Sequence, residues 1–278
     1  MLTVDSPIVS VDWLQDNLHA NNLIVLDASL EKVGKDVLDA IEKKQIKNAV
    51  FFDLKNVFLD LKGTYPNTIP SKEHFEKEVR KIGINKDSCI VVYDDLGIYS
   101  APRVWWLFTT FGFTNIAVLN GGFPAWKNAG FEVESKKERK NATGNFEVNF
   151  KKNRLSTTAS VFMASRDKKI ILDARSKARF DATEPEPRKN LRGGHIPNSK
   201  NLPYTELLVD GKMKSKKELQ KIFSKINPNH EEMIFTCGSG ITACILAIGA
   251  AKAGYTNYSV YDGSWTAWAS ELELPVEK

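Results

Sequence analysis

The chain has 278 residues, 42% of them hydrophobic and 26% charged, a globular composition and not that of a disordered segment. Against 34 Asp and Glu it carries 39 Lys and Arg, a net charge of only +5, which argues against a nucleic-acid binder or a polybasic membrane anchor. At about 150 residues per domain, this length points to two domains. The opening MLTVDSPIVSVDWL lacks a basic stretch followed by an apolar one, so no signal peptide is expected. The longest apolar run, Ala243 to Ala251, falls far short of the roughly 20 residues of a membrane span. Cys89, Cys237 and Cys244 are too few and too irregularly spaced for a disulfide framework or a zinc cluster. Free thiols fit a reducing compartment, and a cytoplasmic location is expected.

Along the chain, LIVLDA from Leu23, CIVVYD from Cys89 and IAVLN from Ile116 are short β-branched runs ending at Asp or Asn. Such runs suit buried strands of a parallel sheet. Apolar residues at helical spacing follow over Ser100 to Thr110 and Thr242 to Ala253, with Gly112 and Gly254 where C-terminal glycines belong. The pattern occurs twice. Gly112 aligns with Gly254, Asn115 with Asn257, Gly121 with Gly263 and Trp126 with Trp268, each pair 142 residues apart. Upstream, LDAS at Leu26 to Ser29 echoes LDAR at Leu172 to Arg175. The charged stretch SKKERKNATGNFEVNFKKN lies between the copies and reads as a connector. The expected organisation is an α/β fold of two tandem domains, 1–138 and 155–278, joined by a linker at 139–154. Each domain should hold a parallel sheet with helices on both faces.

The chemistry concentrates in Met233-Ile-Phe-Thr-Cys237-Gly-Ser-Gly-Ile-Thr-Ala243, a strand, a glycine-rich loop and a helix start. Functional groups of such folds gather at the carboxyl ends of the strands. Gly238 and Gly240 let successive N–H groups turn inward as an anion nest, and the helix adds its own unpaired N–H groups. A cysteine at that rim should be biased toward thiolate, the nucleophilic form, with Ser239 and Thr242 as hydroxyl donors. The competing reading of Cys237 is a small buried residue at a strand end. Cys244 and Cys89 read as core, with a redox partnership for Cys244 as the alternative. Gly238-x-Gly240-x-x-Ala243 with Asp262 also matches a loose dinucleotide fingerprint, but the other copy reads Leu96-Gly97-Ile98 there. A cysteine phosphatase would need an arginine where Ala243 stands.

This loop, the duplication, Gly194-His195-Ile196-Pro197, TEPEPR at Thr183 to Arg188 and Tyr261-Asp262-Gly263-Ser264-Trp265 resemble the two-domain rhodanese-type sulfurtransferases, in particular the branch that uses 3-mercaptopyruvate. The resemblance covers nearly the whole chain. It implies two rhodanese-like domains, with a C-terminal cysteine, Cys237, that takes a sulfur atom as a persulfide and passes it to a thiol. The first domain would be non-catalytic, and Asp95 indeed stands at the cysteine position. It further implies carboxylate binding by Arg179 and Arg188, which suits guanidinium geometry. Gly238, Gly240, Ile241 and Thr242 would complete the substrate cradle, with Ser239 as the catalytic hydroxyl and Tyr99 as a polar contact.

Neutral Gly238 and Ser239, where thiosulfate-using members carry cations, favour 3-mercaptopyruvate as donor. The acceptor would be thioredoxin or a small thiol. The alternatives are a thiosulfate:cyanide sulfurtransferase and a non-catalytic persulfide relay module. Neither a metal nor a cofactor is expected, nor a nucleic-acid or membrane partner, and the chain is expected to be a monomer. It departs from the resemblance at Asn67, where many members have histidine, and at Lys55, where they have aspartate. His195 reads as a structural turn residue; His19, His74 and His230 read as surface residues, and Trp126 and Trp268 as core.

Overall fold

The computed structural model describes residues 1–30, 44–137 and 141–278. The chain forms two compact units. The first comprises Met1–Leu61, Pro70–Phe150 and Asp210–Lys212; the second comprises Lys62–Ile69, Lys151–Val209 and Met213–Lys278. Among the described residues no helix is long and apolar enough to cross a membrane.

In the first unit the β-branched runs become a five-stranded parallel sheet, ordered Ile8–Val9, Ile116–Leu119, Cys89–Tyr93, Leu23–Asp27 and Val50–Phe51. The central strand is buried along its whole length, as a continuous apolar run predicts. The helix Ala101–Thr110 follows it, and its nine buried residues include Trp106 and Arg103, whose guanidinium lies 4.6 Å from the Trp106 ring. Phe75 stacks on Phe111 and meets Phe108 edge-on, which makes this core largely aromatic. Cys89 is fully buried, and burial pushes its thiol up to about 11.

The second unit repeats the plan. Its sheet runs Leu155–Ser156, Tyr258–Tyr261, Met233–Thr236, Ile170–Asp173 and Lys200–Asn201, again all parallel and in the equivalent order. Phe235 sits between Leu172 and Val260 in register. The helix Ala243–Ala253 is buried almost throughout and ends at Gly254 in the left-handed conformation. Trp265 and Trp268 are fully buried residues of the helix Ser264–Ser270, and Trp126 is fully buried in the first unit. Cys244 is also fully buried, and its thiol donates to Gly240 O at 3.3 Å.

The stretch read as a connector is more tightly held than its composition implies. Residues 138–140, which include the expected boundary and the first two linker positions, lie outside the described residues. Beyond them, Gly144 N donates to Arg80 O at 2.8 Å, Asn145 N to Asn85 Oδ1 at 2.9 Å and Asn149 N to Phe111 O at 2.9 Å. Phe146 is fully buried and joins Phe75, Phe108 and Phe113 at ring distances of 5.6–5.9 Å. One buried aromatic in a polar stretch has no periodicity to reveal it, so the sequence pattern missed this strap. Phe146→Ala is expected to destabilise the protein by about 3–5 kcal/mol, as for a core phenylalanine. Chemical denaturation checks this, and a loss below about 1 kcal/mol would restore the loose-linker reading.

Candidate active site

The strand Met233–Thr236 delivers Cys237 to its carboxyl end, and the helix Ala243–Ala253 begins six residues later. Between them Gly240 adopts φ +82°, a conformation that strains any residue with a side chain. This turn swings Gly240 N–H onto Cys237 Sγ at 3.1 Å. Gly238 has no left-handed φ, so its role differs from the conformational one expected. A Cβ there would stand 2.9 Å from Arg179 Nη2, so the bare backbone makes room for a guanidinium.

The first unit shows what such a cradle attracts. Asp94, at the position of Thr236, turns its carboxylate into the loop, and Oδ2 accepts from Tyr99 N at 2.8 Å, Ser100 N at 2.9 Å and Ala101 N at 2.9 Å. It is fully buried; burial raises its pKa, and these backbone donors oppose the rise. The non-cysteine copy thus supplies its own anion. Among the described residues of the second unit, no carboxylate claims the corresponding N–H groups of Ile241, Thr242 and Ala243. Thr236 is buried there with its hydroxyl unpartnered among the described residues.

The hydroxyl bonded to the sulfur among the described contacts belongs to Ser264, a residue the sequence did not single out. Ser264 Oγ accepts from Cys237 N at 3.2 Å and lies 3.8 Å from Cys237 Sγ and 2.8 Å from Tyr261 O. Its single proton therefore has two acceptors, the nearer a carbonyl and the farther the sulfur. Ser264 is fully buried at φ +49°, an uncommon conformation for a residue with a side chain. Its counterpart in the first unit is Gly122, at φ +55°. That serine-for-glycine exchange was visible in the repeat alignment and was the signal that could have singled it out.

Ser239 faces another way. Asn67 Nδ2 donates to Ser239 O at 3.0 Å and Ser239 Oγ at 3.2 Å, so the residue at the histidine position does meet this serine. Asn67 sits in Lys62–Ile69, which packs as part of the second unit. Two further bonds tie that segment down, Ile69 N to Asp262 Oδ2 at 2.6 Å and Tyr65 OH to Glu271 Oε1 at 2.7 Å. Asp262, the acidic residue of the dinucleotide fingerprint, thus binds a backbone N–H of this segment.

Both predicted arginines lie beside the loop. Arg179 lies within the short helix Lys177–Phe180 and pairs with Glu186, Nη2 to Oε2 at 2.6 Å. Exposed Arg188 reaches Thr266 Oγ1 with Nη1 at 3.4 Å, and Thr266 Oγ1 in turn donates to Gly238 O at 2.6 Å. Tyr99 belongs to the first unit, where its N–H serves Asp94. Lys55 belongs to that unit also.

Three of the histidines have structural partners of their own. His195 stacks on Phe180 at 3.7 Å, and its Nδ1 is 2.9 Å from Phe180 O, a satisfied structural imidazole. His74 is half-buried with Nε2 2.7 Å from Val57 O, which corrects the surface reading; no motif marked that carbonyl. His230 is exposed yet stacks on Tyr255 at 4.2 Å.

The comparisons with known proteins identify the family. The rhodanese-like domain profile matches residues 10–129 and again 158–271. The chain is 33% identical to the 3-mercaptopyruvate sulfurtransferase of Escherichia coli K12, over 97% of each sequence. It is 36% identical to the thiosulfate/3-mercaptopyruvate sulfurtransferase 1, mitochondrial, of Arabidopsis thaliana, over 99% of this chain and 79% of the relative. The crystal structure of the Escherichia coli 3-mercaptopyruvate sulfurtransferase SseA superimposes with a TM-score of 0.82 at 31% identity, covering 94% of this chain and 99% of that one. Two matched domains, two like-ordered parallel sheets and relatives aligned from end to end place the chain in the rhodanese-like family, as a tandem two-domain member.

Proposed function

We propose that the chain moves a sulfur atom from 3-mercaptopyruvate to a thiol acceptor through a persulfide on Cys237, releasing pyruvate. The observation that carries this reading is the sulfur of Cys237 under the Gly240 N–H at 3.1 Å, with Arg179 lying over Gly238 of the same loop. The relatives named 3-mercaptopyruvate sulfurtransferase support the choice of donor.

The donor carboxylate and keto oxygen are held by Arg179 and Arg188, whose guanidinium groups bind carboxylates through paired N–H bonds. Cys237 thiolate attacks the donor's thiol sulfur. The C–S bond breaks, its electron pair passes to the methylene carbon as pyruvate enolate, and a proton completes the methyl group. The outer sulfur of the persulfide carries negative charge, which the backbone N–H groups of the loop would stabilise, beginning with that of Gly240. Ser239, held by Asn67, lies on the same loop as the hydroxyl available to the transferred proton. An acceptor thiolate, from thioredoxin or a small thiol, then takes the outer sulfur and Cys237 leaves as thiolate.

Thiosulfate is the second donor this reading admits, because two relatives at 36% identity are named for both compounds. A pure persulfide relay is disfavoured, since it has no use for two arginines beside the loop. The three free cysteines support a reducing compartment such as the cytoplasm, and we take the working form to be a monomer.

The test is pyruvate release from 3-mercaptopyruvate with a dithiol acceptor, run beside thiosulfate with cyanide. Preference for 3-mercaptopyruvate is the expected result, and turnover of neither donor would overturn the assignment in favour of a relay. Arg188→Ala should raise KM for 3-mercaptopyruvate about tenfold, the loss of one charge-assisted hydrogen bond. An unchanged KM would remove Arg188 from the site.

A further inference from the structure

We propose that Glu186 is a positioning residue that presents Arg179 to the loop, and that the pair thereby selects sulfur donors bearing a carboxylate. The proposal rests on the function inferred above and adds the residue that makes the donor choice.

Four charges of alternating sign run from the sheet to the loop. Asp173, the last residue of its strand, accepts from Arg175 Nη2 at 2.7 Å and from Nε at 2.9 Å. Arg175 Nη1 donates to Glu186 Oε1 at 2.8 Å, and Glu186 Oε2 accepts from Arg179 Nη2 at 2.6 Å. The Arg175 side chain is 0% exposed, that of Glu186 2% and that of Arg179 22%, so the ladder emerges from the core only at its last rung. Burial works against the Arg175 charge, but Asp173 and Glu186 more than offset it and raise its pKa. The Arg175 guanidinium also lies 4.5 Å from the Trp265 ring and donates to Gly194 O at 2.8 Å.

Glu186 uses both oxygens on arginines, because Oε1 also accepts from Arg179 Nε at 3.3 Å. A carboxylate so engaged fixes the plane of the Arg179 guanidinium. On the other side, the bare backbone of Gly238 lets that group lie against the loop. Arg179 is held along its Nε–Nη2 edge, which leaves its end, Nη1 together with the second N–H of Nη2, as the paired donor for a ligand. Within the ladder the charges balance, so Arg179 contributes geometry more than surplus charge. A fixed fork favours a planar carboxylate and offers less to thiosulfate, which has none.

The duplicate provides an internal contrast. At the equivalent of Arg175 the first unit has Ser29, and Asp27 there binds Ser29 Oγ at 2.5 Å and Lys136 Nζ at 2.8 Å. Among the described residues, the ladder accompanies the cysteine.

The experiment compares wild type, Glu186→Gln, Arg179→Ala and the double variant with both donors. Wild-type turnover of 3-mercaptopyruvate tests the function, and the variants test the positioning. Glu186→Gln should raise KM for 3-mercaptopyruvate about tenfold with kcat within about twofold, and leave thiosulfate kcat/KM within about twofold. In the Arg179→Ala background the same substitution should add less than about twofold, because its effect passes through Arg179. Equal losses with both donors, or full additivity with Arg179→Ala, would overturn the proposal. Should Glu186→Gln fail to fold, Gly238→Ala crowds Arg179 from the other side without touching Arg175, and it should lower the ratio of 3-mercaptopyruvate to thiosulfate kcat/KM. An unchanged ratio would overturn the proposal. Should wild type turn over neither donor, the proposed function fails, and titration calorimetry with pyruvate still reads the clamp. Weaker binding by Glu186→Gln than by wild type supports it; equal or absent binding ends it.

Discussion

Replacing Cys237 with serine is expected to abolish sulfur transfer while leaving the fold intact. The substitution keeps a side chain of similar size under the Gly240 N–H, and an oxygen there accepts that hydrogen bond at least as well as sulfur does. The melting temperature should therefore stay within about 3 °C of wild type, the shift produced by roughly 1 kcal/mol in a chain of this size. Transfer itself needs a sulfur that can form and break an S–S bond, and a serine hydroxyl cannot store the sulfane sulfur. Turnover should fall by at least about 10⁴-fold, as when a covalent nucleophile is removed from other enzymes. Mass spectrometry gives the direct reading. Wild type incubated with 3-mercaptopyruvate gains about 32 Da, the mass of one sulfur atom, and Cys237→Ser gains none. Substantial residual turnover, or a mass gain on the variant, would place the nucleophile elsewhere.

Ser264→Gly is expected to separate activity from stability. At φ +49° the serine side chain occupies a conformation that costs about 1–2 kcal/mol, and glycine would relieve it. Glycine also increases the entropy of the unfolded chain, which costs about 0.5–1 kcal/mol, so these two backbone effects nearly cancel and the loss of the hydroxyl's own hydrogen bonds, about 1–2 kcal/mol, remains. Glycine at the equivalent position of the first unit, Gly122, shows that the backbone tolerates it. Transfer should nevertheless slow by about 10²-fold, the usual loss when one preorganised donor at a developing charge is removed. The hydroxyl is 3.8 Å from Cys237 Sγ and accepts from Cys237 N, so its removal releases both the sulfur and the backbone beneath it. Strain kept at a buried position beside a reactive atom points to a role in function. A Ser264→Gly protein that transfers sulfur at the wild-type rate would reduce Ser264 to a structural residue.

Much of the fold was legible because the chain states it twice. Asp95 opposite Cys237 and Gly112 opposite Gly254 define equivalent loops and helix ends, and the two sheets follow the same strand order. The strap around Phe146 was not legible. Its fixing contacts are backbone bonds and one aromatic ring, and neither produces a periodic pattern. His74 escaped for the same reason, since a backbone carbonyl 17 positions away leaves no mark in composition.

By itself the sequence determined the strands, the loop and the candidate nucleophile, because these are local; both arginines were implied only by the family resemblance. A strand end, a glycine pair and a helix start form a cradle wherever they occur in that order. Tertiary structure alone decided which hydroxyl faces the sulfur, what Gly238 makes room for, and how Arg179 is held. Ser264, Glu186 and Asn67 reach the loop or its arginine from other segments, and only close packing brings those groups within hydrogen-bond range. Residue type indicates that a serine can donate a proton. Which serine does so depends on a distance that only the folded chain sets.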